Sequence, residues 1–182
     1  MSPDATDLLI RPARPDDAKT IGEIYVETWR TTYAGMLPDH VLVRMSEARH
    51  AVLWGHDIGD RSQLVRVAES NNRIVGFGSA GALRNAGAGQ GEVYTLYVRP
   101  DAHGHGVGRK LILSLFEGLL ARGYPSAVIY VVAANPSRFF YERLGGKRSI
   151  QRTERLWGAN VAEFGYVWPD LKATLDAACG RT

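Results

Sequence analysis

The sequence predicts an α/β (α+β) fold: a single domain with one mixed β-sheet flanked by helices. Three observations predict it. A strongly apolar helical stretch from Val107 to Arg122 stands between two strand-like runs, Glu92 to Arg99 and Ala127 to Ala134. Two further strand-like stretches before it are joined by Ser70-Asn71-Asn72, a turn signal. No Pro-, Gly- or Ser-rich linker divides the 182 residues, a length that suits one domain. The core is expected over residues 8–168, with residues 169–182 as a tail.

Taken in order, Leu8 to Arg11 reads as a short strand closed by Pro12, and Arg14-Pro15-Asp16-Asp17 as a helix start. From Ala18, Ile21, Ile24, Tyr25 and Trp29 recur at helical spacing until Gly35 and Pro38. A second helix is expected from Pro38 to Gly55, with Val41, Leu42, Met45 and Val52 on its apolar side. Gln63 to Glu69 and Arg73 to Ala80 form the hairpin, and residues 84–91, rich in glycine, form a loop. Leu111, Leu115 and Leu119 continue from Val107 at four-residue intervals, and Gly123 ends that helix. The run from Ala127 is rich in β-branched residues, as a strand buried on both faces requires. Asn135 and Pro136 suit a helix cap and first helical position for a short helix to Leu144. Strands over Lys147 to Thr153 and Ala159 to Trp168, then a helix over Pro169 to Ala178, complete the chain. The strand–helix–strand passage implies one parallel pair with a right-handed crossover. The hairpins imply antiparallel neighbours.

Composition excludes several classes. Apolar residues make up 45% and charged residues 23%, so a packed core is expected rather than disorder. The formal net charge is +3, but basic residues are scattered, with Arg109-Lys110 and Lys147-Arg148 the densest pairs. A nucleic-acid surface is not expected from that distribution. No run approaches the length of a membrane span. Met1 to Asp7 carries two aspartates and no apolar stretch, which does not read as a secretory signal. Cys179 is the single cysteine, so no internal disulfide forms, and a reducing, cytoplasmic location is expected. His103 and His105 lie two apart on a loop without further ligands nearby, so no metal site is expected.

The chemistry concentrates after the strand ending at Arg99. Gly104, Gly106 and Gly108 run into a helix start. Such a start offers unpaired N–H groups and the positive end of a dipole, and glycines let the backbone close on an oxyanion. Arg109 and Lys110 would oppose that dipole unless an anion sits there, so the loop reads as a phosphate cradle. It is not a Walker A loop, because no Ser or Thr follows the lysine. It is not a dinucleotide fingerprint, because Arg109 stands where the third glycine belongs.

His103-Gly104-His105-Gly106-Val107-Gly108 resembles the acetyl-CoA signature of the GNAT superfamily of N-acetyltransferases, Gln/Arg-x-x-Gly-x-Gly/Ala, with His103 departing at the first position. The stretch from Asn135 through Tyr141 to Gly146 resembles the family's second motif, with Arg138 and Gly146 replacing alanine and phenylalanine. The resemblance covers Leu8 to Trp168. It implies a mostly antiparallel sheet whose central parallel pair splays apart at the cofactor. It implies that acetyl-CoA is the co-substrate and that a primary amine, on a small molecule or a peptide, attacks it directly. Leu96, Tyr97 and Val98 would line the pantetheine arm, His103 through Arg109 (Gly104, His105, Gly106, Val107 and Gly108 between them) would hold the pyrophosphate, and Asn135 and Tyr141 would meet the cofactor.

Tyr141 would be the general acid to the sulfur, or else a packing aromatic. Glu92 would accept the amine proton, or else be a solvated strand-end carboxylate. Trp29 and Tyr33, four apart, would line the acceptor pocket, with core packing as the plainer role. Phe164, Tyr166 and Trp168 alternate, so they face either a second subunit in a homodimer or the core. The rival to an enzyme is a catalytically silent acyl-CoA-binding module on the same fold.

Overall fold

The computed structural model describes residues 8–84, 89–156 and 158–180. The reading of Met1 to Asp7 and the middle of the loop at 84–91 lie outside the described residues. The strands are β1 (Leu8–Pro12), β2 (Leu64–Ser70), β3 (Arg73–Ala82), β4 (Gly91–Val98), β5 (Ala127–Val132), β6 (Lys147–Leu156) and β7 (Ala159–Trp168). They form one sheet in the order β1-β2-β3-β4-β5-β7-β6. Only β4 and β5 pair in parallel; every other neighbouring pair is antiparallel. The helices are α1 (Ala18–Thr32), α2 (Asp39–Val43), α3 (Glu47–Gly59), α4 (Val107–Ala121), α5 (Arg138–Arg143) and α6 (Leu171–Cys179).

Most elements follow from local chemistry. Asn71 and Asn72 take φ of 50° and 58°, the left-handed geometry of a two-residue hairpin turn, which asparagine tolerates. The periodic face of α4 is fully buried: Leu115, Phe116 and Leu119 pack against Val93 of β4 and Ile129 of β5, and Leu111 against Ala68 of β2 and Val75 of β3. On the opposite face of the sheet, Ile21 and Ile24 of α1 and Trp54 of α3 cover Phe77 of β3. β5 is buried on both sides except at Tyr130, as its apolar run requires.

Two expectations need correction. The helix anticipated from Pro38 to Gly55 is two helices, because Ser46 leaves the helical path and its hydroxyl accepts from the Arg49 N–H, capping a new start. The short helix expected to open at Asn135 begins at Arg138 instead. Asn135 Oδ1 accepts from the Ser137 N–H at 2.9 Å, closing a turn that delays the helix. The late aromatic stripe faces inward: Tyr166 and Trp168 are buried in the α4 cluster, with Phe164 packed against it. Trp168 also explains Gly146, where a Cβ would lie 2.7 Å from Trp168 Cζ2.

Leu115 is fully buried between α4 and the sheet. Leu115→Ala is expected to cost about 2–5 kcal/mol of unfolding free energy, read as a lowered midpoint in urea denaturation.

Candidate active site

The central parallel pair is short. β4 and β5 are in register only from Gly91↔Ala127 to Val93↔Ile129, and beyond that the strands part. A bulge accompanies the parting: Ser79 of β3 faces Thr95 and Ala80 faces Val93, which leaves Tyr94 as the extra residue. The Arg99 N–H donates to the Val75 carbonyl, so the alternation of the ladder turns the backbone groups of Val98 and Leu96 away from β3 and into the gap. Tyr97, between them, sends its ring to the α1 side.

Two cavities meet at this gap. The first is a cleft of about 590 Å³ that runs from the gap to the start of α4. Its wall includes Leu96, Tyr97, Val98, His103, Gly104, Gly106, Val107, Gly108, Arg109, Asn135 and Tyr141. These residues were expected at one cofactor, and the fold gathers them around one cleft. His105 is exposed but does not line the cleft. Gly104 and Gly106 have φ of 80° and 76°, in the left-handed region where an L side chain is strained. Open space surrounds both, so the loop keeps its backbone accessible. Gly106 is the N-cap of α4, whose first N–H groups and dipole point into the cleft.

Side chains around the loop have their own partners. His103 Nε2 lies 2.8 Å from the Val98 carbonyl, bracing the loop against β4. Arg109 Nη2 donates to the Ala178 carbonyl at 3.3 Å, tying α4 to the end of α6. The polar backbone cradle, the cations beside it and the open strand edge fit a long phosphorylated thioester.

The second cavity, about 640 Å³, lies on the α1 side of the gap. Trp29 and Tyr33 line it with Tyr25, Trp54, Tyr97 and Tyr130, and both also pack in a buried cluster with Leu37 and Leu42. Glu92 lines it too, with its side chain only 3% exposed. Both Glu92 oxygens are held by Arg84: Oε2 accepts from the backbone N–H, and Oε1 accepts from the guanidinium. Three lining residues had no signal in the sequence. Arg152 and Glu163 come from the last hairpin, and Asp57 comes from α3.

Hydroxyls join the two cavities. Tyr33 and Tyr97 line both. Trp29 Nε1 donates to the Tyr97 hydroxyl at 3.1 Å, and the Tyr33 ring packs beside Trp29 with centroids 4.7 Å apart. Burial pushes the hydroxyls of Tyr25, Tyr97 and Tyr141 well above the ordinary tyrosine range, with neighbouring tyrosines adding to the effect. Tyr141, 5% exposed, therefore stays protonated at neutral pH. Burial also keeps His50, at the α3 wall, below its usual value and hence neutral at pH 7.

Among the described residues no cluster of His, Cys, Asp and Glu has the makings of a metal site. None of the described helices is long and apolar enough to cross a membrane.

Comparison with known proteins agrees with this geometry. The model of the Acetyltransferase (GNAT) family matches residues 21–146. YuaI, described as an N-acetyltransferase of Bacillus subtilis strain 168, is 29% identical over 169 residues, covering 90% of this chain and 94% of its own. An N-acetyltransferase structure from Staphylococcus aureus Mu50 superposes with a TM-score of 0.74 at 22% identity, over 91% of this chain and 99% of that one. The PaiA N-acetyltransferase of Thermoplasma acidophilum, solved in complex with coenzyme A, gives 0.68 at 20% identity, over 86% and 97%. The two structures share the fold.

The buried tyrosines set a prediction. Their folded pKa values exceed the unfolded value of about 10, so the native state binds more protons above that pH. The stability they contribute is full below about pH 10 and is lost as pH rises through the folded values. The thermal midpoint should fall steeply on the alkaline side, and less steeply in Tyr141→Phe, as measured by circular dichroism melts across that range.

Proposed function

The chain belongs to the GNAT acetyltransferase family, and from that premise we propose that it moves an acetyl group from acetyl-CoA to a primary amine by direct attack in a ternary complex. The observation that carries the reading is the meeting of two cavities at one parted strand pair: an anion-binding cleft on one side and an aromatic, acid-bearing pocket on the other.

The roles follow from position. Backbone N–H groups at Gly104 to Arg109 take the pyrophosphate, at a helix start that favours negative charge. Leu96 and Val98 offer backbone groups to the pantetheine arm, and an N–H there stabilises the oxyanion that forms on the thioester carbonyl. That donor is fixed by its strand before the reaction begins, so it costs no reorganisation. Asn135 braces the far side of the gap through its own turn. Tyr141, held protonated by burial, donates to the sulfur as the C–S bond breaks. A thiol has an ordinary pKa of about 8.5, below that of tyrosine, so the hydroxyl gives its hydrogen bond as charge develops and does not ionise beforehand. The amine reaches the carbonyl from the aromatic pocket, where buried carboxylates favour an ammonium.

The test has two parts. Titration calorimetry with coenzyme A should give a saturable heat, and an amine panel with acetyl-CoA should release free thiol. Tyr141→Phe should lower kcat by about 10²-fold and leave coenzyme A affinity within about twofold. Binding without thiol release from any amine would instead favour a silent acyl-CoA-binding module. Absence of binding would overturn both.

A further inference from the structure

We infer that Glu163, on the last strand, is the carboxylate that receives the acceptor's ammonium group and takes its proton, and that the acceptor is a primary amine on an aromatic or apolar carbon body. The inference rests on the acetyl-transfer reading above and says which residue and which substrate class serve it.

Two buried glutamates line the acceptor cavity, and their surroundings differ. Glu92 has both oxygens engaged by Arg84, so it can receive a proton or an ammonium only by giving up that pairing. Glu163 sits opposite Val132 of β5, on the strand that completes the wall beside the gap. Both of its bonds from Arg152, from Nε at 2.9 Å and Nη2 at 2.8 Å, land on the same oxygen, Oε2. Among the described residues only Ser70 Oγ is buried without a hydrogen-bond partner, so Glu163 Oε1, which has no partner of its own, is reached by the open volume of the cavity. The side chain is 10% exposed, so an ammonium there is largely shielded from solvent.

Its neighbours define the electrostatics. Arg152 and Glu154 face it from β6, with the Arg152 guanidinium 3.5 Å over the Tyr130 ring of β5. Arg84 lies within its field from just past the end of β3, as does the Tyr33 hydroxyl from the end of α1. Asp57 and His50 of α3 line the same cavity. Tyr33 lines the cofactor cleft as well, so Glu163 shares its cavity with a residue that reaches where the two substrates meet. Rings of Tyr25, Trp29, Trp54, Tyr97 and Tyr130 form the remaining wall, which buries an apolar body and favours a cation. A volume of about 640 Å³ suits a small molecule.

The step balances as follows. The ammonium gives one proton to Glu163, which passes it to solvent. The freed lone pair forms the N–C bond at the thioester carbonyl, and the C–S bond breaks with its electron pair on sulfur. Sulfur takes a proton from Tyr141, and the nitrogen's second proton restores that hydroxyl. The products are the amide, the free thiol and one proton.

The probe is 2-phenylethylamine with acetyl-CoA, followed by thiol release from about pH 7 to pH 10. Wild type should acetylate it. Glu163→Gln keeps the shape and the Arg152 hydrogen bond, and should lose at least about tenfold in kcat/KM at pH 7. That gap should close toward pH 10, where the amine arrives already neutral, and coenzyme A affinity by calorimetry should not change. Glu163→Asp, which retains charge, should fall between the two and decides the matter if the glutamine variant does not fold. A loss below about twofold at pH 7, or a loss of equal size at every pH, overturns the role of Glu163. Failure to acetylate 2-phenylethylamine while another amine in the panel reacts overturns the substrate class. Failure with all amines overturns the underlying acetyl-transfer reading instead.

Discussion

Two parallel strands that pair over three residues and then part impose the geometry on which everything else rests. β4 and β5 share Gly91↔Ala127 through Val93↔Ile129 and no more. A sheet interior cannot leave backbone groups unpaired without something to satisfy them. Beyond Val93, the groups of Leu96 and Val98 have no facing strand; the His103 ring partners the Val98 carbonyl, and Leu96 and Val98 line the cleft. The bulge at Tyr94 and the buried anchors Val93 and Ile129 keep the opening from closing by register slip. α4 packs its leucine face just below and aims its start into the same space.

The opening also joins two cavities of unlike chemistry on opposite faces of one sheet. The α4 face offers glycine backbone and a helix dipole, suited to phosphate. The α1 face offers aromatic rings and carboxylates, suited to an amine. Tyr33 and Tyr97 line both cavities, and Trp29 Nε1 donates to the Tyr97 hydroxyl between them.

The sequence carried the α4-side cleft well and the α1-side cavity poorly. Glycines with positive φ, a helix start and a four-residue leucine repeat are local features, and they occupy one continuous stretch from Leu96 to Leu119. Trp29 and Tyr33 were visible because they share one helix face. Glu163 was not, since an isolated glutamate beside a glycine and aromatics on a strand reads as solvent-facing. Its burial depends on β7 inserting between β5 and β6, a long-range choice that no short window records. The break at Ser46 was hidden for a different reason: the apolar spacing continues across it, and only the cap hydrogen bond interrupts the helix. Gly146 departed from the family pattern because Trp168, more than twenty residues later, fills the space where a side chain would be.

The strand order has a consequence for how the molecule is made. Synthesis runs from the N-terminus, so the glycine loop and α4 exist before the final hairpin has left the ribosome. Until then the outer edge of β5 is bare, a template for pairing with another chain. β7 arrives late, seals that edge and in the same event brings Tyr166 and Trp168 into the α4 cluster and Glu163 to the α1-side cavity. Covering the sheet edge, filling the core and finishing the cavity wall are thus one folding step.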